Sequence, residues 1–394
     1  MSTTASEQRA RRLTAVLRDG ERVTPLELFF DLVFVLAITQ CTALMAATPT
    51  WRGLAQGLLV LGVLWWSWTG YAWLTSVVDP EEGSVRLVMI LAMAAFLICG
   101  LTVPETFGSE GLLFALAYGV VRVAHILLFL LASRDDPGLR HAVTRLAIST
   151  AIGVGILLLA SATHGGVQIG VWALALVLDM AGGLVIDPAG WRLVPGHFAE
   201  RHGLIVIIAL GESIAALGTS SGHHVDGGVV AAAVLGVVVA AGLWWLYFDV
   251  VAPVSTRRLI AAAEGAERNR MARDSFSFLH YPMVAGIVLV ALGMKKTLAH
   301  VSEPLQLVPT FALLGGTALY LLAHVAFRLR NVRTLNRRRL GLAIVLIALT
   351  PALQHAPALV PLALLAVALV ALIAYETTVY GDARHRVRHP DATA

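Results

Sequence analysis

Charge is what this sequence has least of. Asp, Glu, Lys and Arg make up 14% of its 394 residues, where a soluble domain carries about 25%. Hydrophobic residues reach 58% and the mean hydropathy is +0.78, which excludes an ordinary soluble domain and points to a polytopic membrane protein. Cysteine is nearly absent: Cys41 and Cys99 lie far apart in or beside apolar runs, so neither a disulfide framework nor a thiolate metal site is expected. The opening MSTTASEQRARRLTAVLRDGERVTP lacks an uninterrupted apolar core before a small-residue cleavage site. The first span is therefore expected to direct insertion itself. A P-loop, a zincin motif and metal ligands at diagnostic spacing are also missing, and Ser213 is not set in G-x-S-x-G. No catalytic residue, cofactor or metal is expected, and the longest polar stretch, 249 to 274, is too short to hold a soluble enzyme core.

What is present is a series of apolar runs of roughly the length that crosses a bilayer. They cover 28 to 47, 54 to 75, 85 to 103, 111 to 131, 146 to 162, 167 to 185, 203 to 219, 228 to 248, 275 to 293, 308 to 327, 340 to 354 and 357 to 375. The expected fold is all-α, with about twelve transmembrane helices and both termini on one side. On that count 25 of the 29 Lys and Arg, Arg201 and Arg339 among them, fall on the terminal side. Only Arg52, Lys295 and Lys296 lie opposite, and Arg122 is inside a span. The positive-inside rule then puts both termini in the cytoplasm of a multi-pass protein of the plasma membrane. The pI of about 9.3 is read as a topology device that also touches anionic headgroups, not as a nucleic-acid footprint. Pro351, Pro357 and Pro361 leave open whether 340 to 375 is two spans or one span and a re-entrant segment.

Two weak similarities recur six spans apart. LWWSW at 64 to 68 resembles LWWLY at 243 to 247, and AYGVVRVAHILLF at 117 to 129 resembles TALYLLAHVAFRL at 317 to 329, which brings His125 and His324 to nearly corresponding points. Six crossings per unit imply two parallel six-helix repeats. The expected organisation is a basic cytoplasmic segment over 1–25, a first half over 26–187, a linker over 188–202, a second half over 203–379 and a cytoplasmic tail over 380–394. The segment 249 to 275 reads as a polar connector whose middle forms a surface helix.

Ionised side chains in hydrocarbon are costly and must face the bundle interior or a cavity. Asp31, Arg122, Asp179 and Glu212 are such residues, the last three at similar depth near the midplane, so Arg122 is expected to neutralise Asp179 or Glu212. His125 shares a helix face with Arg122. With His280 and His324, these residues are the candidates for a transport path or binding site. The competing expectation for each is a polar clamp that only holds helices together. Trp65, Trp66, Trp68, Trp73, Trp244 and Trp245 read as interfacial or packing rings, and His223 and His224 as adventitious surface residues.

The stretch RVTPLELFFDLVFVLAITQ, followed by DPEEGSVRLVMILAMAAFLICG at 79 to 100, AYGVVRVAH, HFAERHGLIVIIALGESIAALG at 197 to 218, YFDVVAP, and RDSFSFLHYPMVAGIVLVALG at 273 to 293, closely resembles the bacterial low temperature requirement protein A family. The resemblance covers most of the chain and is diffuse after about residue 300. It implies an integral membrane protein whose family name records a growth phenotype and supplies no molecular activity. Matching positions are Glu27, Asp31, His125, His197, Glu200, Glu212, Asp249 and His280. A weaker likeness is to endolysosomal and bacterial potassium channels built from six-helix units. Here Arg22 precedes Phe29, Phe30 and Asp31 at longer spacing, Phe30 stands for a serine, and no filter sequence is evident.

Three functions remain open from the sequence: a transporter or channel for a small solute or ion using intramembrane carboxylates, a receptor or scaffold that transports nothing, and a lipid-modifying or lipid-moving protein. Enzymatic activity is not the expectation. Membrane lipids are the expected surroundings, a small solute or ion and a second copy of the chain are candidate partners, and nucleic acid is not.

Overall fold

The computed structural model describes residues 22–81, 83–185, 188–218 and 226–379. Among these residues the regular structure is helical, apart from one isolated bridge between Pro304 and Pro357. In chain order the helices are α1 Pro25–Ala47, α2 Trp51–Thr75, α3 Gly83–Thr102, α4 Gly111–Ala132, α5 Pro137–Ala160, α6 Gly165–Val185 and α7 Pro195–Gly218. They continue with α8 Gly227–Leu246, α9 Ala252–Ala261, α10 Ala266–Met271, α11 His280–Ala299, α12 Leu307–Val332, α13 Arg337–Leu353 and α14 Leu359–Val379.

Local chemistry sets where several of these helices begin. Thr24 and Glu27 form a reciprocal cap on α1. The Thr24 N–H and hydroxyl donate to Glu27 Oε2 at 2.9 and 3.0 Å, and the Glu27 N–H points back to Thr24 Oγ1 at 3.4 Å. Pro25 takes the first helical position, where its missing N–H costs nothing. Asp136 caps α5, Asp226 caps α8 and Asn336 caps α13, each accepting a backbone N–H three residues on.

Among the described residues, ten helical segments are long and apolar enough to cross a membrane, and the side chains sort as bilayer solvation demands. On α4 the outward row Leu112, Leu116, Val120, Val123 and Leu127 is exposed, while Tyr118, Arg122 and His125 are buried. At 1.5 Å per residue the 22 residues of α4 span about 33 Å, close to the hydrocarbon thickness. Apolar outside and polar inside is the reverse of a soluble bundle, and the chain is accordingly a multi-pass helical membrane protein.

Two expected spans depart from this pattern. The 24-residue α7 carries Glu200, Arg201 and Glu212, and α13 has only 17 residues with Pro351 near its end. The ambiguous stretch 340 to 375 resolves into two helices, α13 and α14. The connector expected over 249 to 275 is more ordered than its polarity suggested. α8 passes through a π-helical turn, Tyr247–Val251, into α9, and a second one, Ala272–Phe278, leads from α10 toward α11.

The chain divides into two compact units. Described residues within 22–41, 55–201 and 262–273 make the first; those within 42–54, 202–261 and 274–379 make the second. In the first, Asn269 of α10 donates to the carbonyls of Pro188 and Trp191 at 2.8 and 2.6 Å, tying α10 to the segment before α7. In the second, α11 and α12 pack through small residues: a Cβ added to Gly286 would lie 2.6 Å from the Gly316 carbonyl, and one on Gly293 2.6 Å from Leu313 Cβ. Helices in lipid associate by such close approach because no hydrophobic force drives them together.

Candidate functional site

Glu27 and Asp31 are one helical turn apart on α1 and face the same way. His197 and Arg201 stand in the same relation on α7. All four are completely buried in the first unit. His197 Nε2 meets Glu27 Oε1 at 2.9 Å, and Arg201 Nη1 reaches the same oxygen at 3.4 Å while donating to Thr75 Oγ1 at 2.9 Å. Arg201 Nη2 donates to Asp31 Oδ1 in a short charge-assisted bond. The indole of Trp68 donates to that same oxygen at 2.8 Å, and its ring lies 5.5 Å from the guanidinium carbon, within cation–π range. Asp31 Oδ2, equally buried, has no hydrogen-bond partner among the described residues. Glu200, next to Arg201 on α7, is exposed and accepts the Val23 N–H at 3.3 Å.

A second charged group in the same unit joins α4, α5 and α6. Arg122 Nη2 donates to Asp179 Oδ1 at 2.8 Å and to Thr150 Oγ1 at 2.6 Å, and the Tyr118 hydroxyl donates to Asp179 Oδ2 at 2.7 Å. Of the two partners expected for Arg122, Asp179 is the one it takes. His125 lies one turn along α4, its ring resting on Gly70 and 5.3 Å from the ring of Tyr71. A Cβ on Gly70 would come within 2.9 Å of that imidazole, so the absence of a side chain makes room for the histidine.

The second unit has its own ion pair, Arg339 with Glu376, in a two-pronged arrangement at 3.0 and 2.7 Å. Arg339 Nη1 also donates to His324 Nδ1 at 2.8 Å and to the Leu246 carbonyl at 3.3 Å. Because Nδ1 accepts, His324 is neutral with its proton on Nε2. His324 is buried, held between Tyr320 and Arg339. His280 is fixed as well. Its Nδ1 donates to the Ser275 carbonyl at 2.9 Å and its Nε2 takes the Tyr247 hydroxyl at 2.8 Å, with Phe276 stacked at 5.1 Å. The π-helical turns supply both partners, since Tyr247 opens the first and Ser275 lies within the second.

Glu212 is buried on the part of α7 that belongs to the second unit, and Asp249 is buried in the first π-helical turn. The sequence reading missed Arg201 and Arg339 as interior residues. Both were counted among cytoplasmic loop charges, yet they are 0% and 6% exposed and each neutralises buried carboxylate. It also missed Trp68, Tyr118, Thr150 and Glu376 as polar partners. The signal for the first cluster was available as two matching four-residue spacings, E-x-x-x-D and H-x-x-x-R, each of which puts its pair on one helix face.

The family model for the bacterial low temperature requirement A protein matches residues 22–374. A protein of Rhizobium meliloti (strain 1021), RA0937, is 32% identical over 312 residues, covering 75% of this chain and 74% of the relative. No solved structure matches the chain. With buried charges at the positions that carried the resemblance and a match over nearly the whole described length, the chain belongs to the bacterial low temperature requirement A family.

Proposed function

We propose that this protein is a membrane transporter or channel for a small solute or ion, and that the Glu27, Asp31, His197 and Arg201 cluster is the charged element of its path. The observation that carries this reading is a buried carboxylate oxygen left unsatisfied. Arg122 with Asp179 and Arg339 with Glu376 are one cation to one anion, and both oxygens of each carboxylate are hydrogen-bonded. Those are the properties of helix clamps. The first cluster instead gathers two fully buried carboxylates about one guanidinium and a histidine, and Asp31 Oδ2 has no hydrogen-bond partner among the described residues. A clamp has no use for an unsatisfied carboxylate oxygen; a site that handles a mobile charge does.

On this reading Asp31 belongs to the path, Arg122 and Asp179 hold α4, α5 and α6 together, and His125, His280 and His324 shape the interior. Glu212 is a second path candidate. We also read the chain as two parallel six-helix halves, α1–α6 and α7, α8 and α11–α14, with both termini cytoplasmic. The repeat is supported by a shared device. Tyr71 of α2 donates to the Val121 carbonyl of α4 at 2.9 Å, and Tyr320 of α12 donates to the Leu243 carbonyl of α8 at 2.8 Å. In each half a tyrosine thus bridges the second and fourth helices.

The test is an ion and solute flux screen in proteoliposomes, followed by Asp31→Asn and Glu212→Gln at matched reconstitution. Both substitutions keep size and hydrogen bonding and delete one charge. Reduced flux in folded variants is the expected result, and undiminished flux in the folded double variant removes the proposed path. Absence of wild-type flux across a broad range of ions, solutes and voltages favours a receptor or scaffold.

A further inference from the structure

We infer that one end of the second unit is a docking surface for anionic phospholipid headgroups, with Arg333 and Arg337, at the turn between α12 and α13, as its phosphate-binding groups. The inference concerns the bilayer around the protein and stands whether or not a solute is moved.

Arg339 fixes the level of this surface. It bonds the Leu246 carbonyl at the end of α8, His324 toward the end of α12 and Glu376 near the end of α14, so the ends of those three helices meet the start of α13 at one level. Beside these contacts stand aromatic side chains that face outward. Trp244 and Trp245, just before Leu246, are exposed, and so is Tyr375, next to Glu376. Tryptophan and tyrosine collect at the boundary between membrane and water, where one part of the ring is apolar and the other wet. On α14 the outward side chains before Tyr375, namely Leu364, Val367 and Val370, are apolar, as lipid requires. The rings therefore mark headgroup level.

At that level the surface turns basic. Arg328 and Arg330 lie in the last turns of α12, Arg333 in the turn that follows, and Arg337 and Arg338 at the start of α13; all five are exposed. The acids near these helix ends, among the described residues of the unit, are already engaged or enclosed: Asp274 pairs with Arg330 at 3.0 Å, Glu376 pairs with Arg339, and Asp249 is buried. Two more arginines have neutral partners. The Arg338 guanidinium lies 4.3 Å from the Tyr375 ring centre, and Arg328 Nε donates to Thr334 Oγ1 at 2.8 Å. The side chains of Arg333 and Arg337 make no ion pair or hydrogen bond among the described residues.

Topology alone asks only that positive charge lie on one side of the membrane, not that it be interleaved with bare hydrocarbon. Here Leu329 and Leu335 are exposed between the arginines. A turn meant for water alone gains nothing from two outward leucines. A turn lying on headgroups buries them at the acyl boundary while the charges meet phosphate, which is how amphipathic segments hold an anionic bilayer. Guanidinium suits that partner, since its planar fork matches two phosphate oxygens at once. An acidic protein is the competing occupant. The two leucines and the flanking rings favour lipid, which surrounds these helix ends already.

The experiment is electron paramagnetic resonance of the full-length protein in phosphatidylcholine bilayers that carry a trace of spin-labelled phosphatidylglycerol or, in a parallel sample, of spin-labelled phosphatidylcholine. The share of label immobilised at the protein surface reads relative association. Wild type at low salt is expected to prefer phosphatidylglycerol several-fold, and the preference should shrink as added salt screens it. Arg333→Asn combined with Arg337→Gln should bring it near parity; asparagine is chosen because it tolerates the left-handed backbone at 333, where φ is 55°. Arg52→Gln is the control that should keep the wild-type preference, since the adjacent Trp51 packs at 4.9 Å on Phe311, at the opposite end of α12. If the double variant does not fold, Arg337→Gln alone and the salt series on the wild type decide. Equal association of the two lipids with the wild type overturns the inference, as does a preference that the arginine variants retain in full or that high salt leaves unchanged.

Discussion

Trp68 and Asp31 are joined by a hydrogen bond of 2.8 Å from the indole N–H to Oδ1, with both side chains fully buried. Oδ1 also receives the Arg201 guanidinium, so the indole and the guanidinium converge on one oxygen while the other has no hydrogen-bond partner among the described residues. A ring expected to act as packing is in fact a polar contact of the charged cluster.

Removing that donor is therefore costlier than trimming a packing ring. Trp68→Phe keeps an aromatic body but leaves Oδ1 one donor short, and hydrogen bonds to charged groups are worth about 1.5–3 kcal/mol. Thermal melts in one detergent should give a loss of that order. In an Asp31→Asn background the same substitution should cost measurably less, because coupled sites are non-additive; equal losses in the two backgrounds would show that the bond contributes nothing.

The Arg122–Asp179 clamp makes a sharper prediction. Arg122→Ala leaves Asp179 buried and uncompensated, which should cost about 3–5 kcal/mol, whereas Arg122→Met combined with Asp179→Leu removes both charges and should recover much of the loss. Tyr118→Phe, which withdraws one donor from Asp179 Oδ2, should be milder at about 1–3 kcal/mol. The check is a comparison of melting temperatures, and a double variant as unstable as the single would refute the clamp.

Close packing of α11 on α12 predicts intolerance at Gly286 and Gly316. A Cβ on Gly316 would lie 2.7 Å from Leu289 Cβ, so Gly316→Val must push the helices apart at a cost of about 1–3 kcal/mol or more. The measurement is the yield of monodisperse protein by size-exclusion chromatography. Gly155→Ala, where a Cβ meets nothing within 4 Å, is the control expected to behave as wild type.

Asp136, outside the spans, gives a pH prediction. The Leu139 N–H that it caps, together with Arg192 at 2.6 Å, holds its carboxyl below the usual aspartate value. A depressed folded-state value means that the ionised cap stabilises above the ordinary aspartate range and that this contribution is lost as pH falls through the lower, folded value. Asp136→Asn retains a cap acceptor without the charge. Its melting temperature should fall below wild type at neutral pH and meet it in acid; a gap that persists in acid would contradict the assignment.

Much of the fold was legible because bilayer-length apolar runs have a single good solution, the helix that satisfies its own backbone. The expected run 111 to 131 became α4, Gly111–Ala132, and 308 to 327 became α12, Leu307–Val332. The cluster was half legible. Asp31 stood out because a carboxylate amid Phe29, Phe30 and Leu32 has no apolar excuse, and Glu27 and His197 were marked only through the family resemblance. Arg201 was hidden for the opposite reason: it follows HFAE at the polar head of α7, where arginine normally belongs to a loop, and only tertiary packing reveals that this head is buried. The same holds for Arg339, the last of three consecutive arginines in RRRL, since nothing in that run says which one turns inward toward Glu376.

The π-helical turn Ala272–Phe278 is, in terms of heredity, a stored insertion. Its wider turn advances by about one extra residue relative to an α-helix, and at roughly 100° per residue that surplus sets the direction in which α11 begins. A one-codon deletion within 272–278 would be in frame and could leave a regular helix, yet it would rotate every later residue of α11 by that angle. His280 would lose the Ser275 carbonyl, and Gly286 and Gly293 would turn away from α12. The segment should thus reject any change in its length, which a deletion scan of this stretch would read directly.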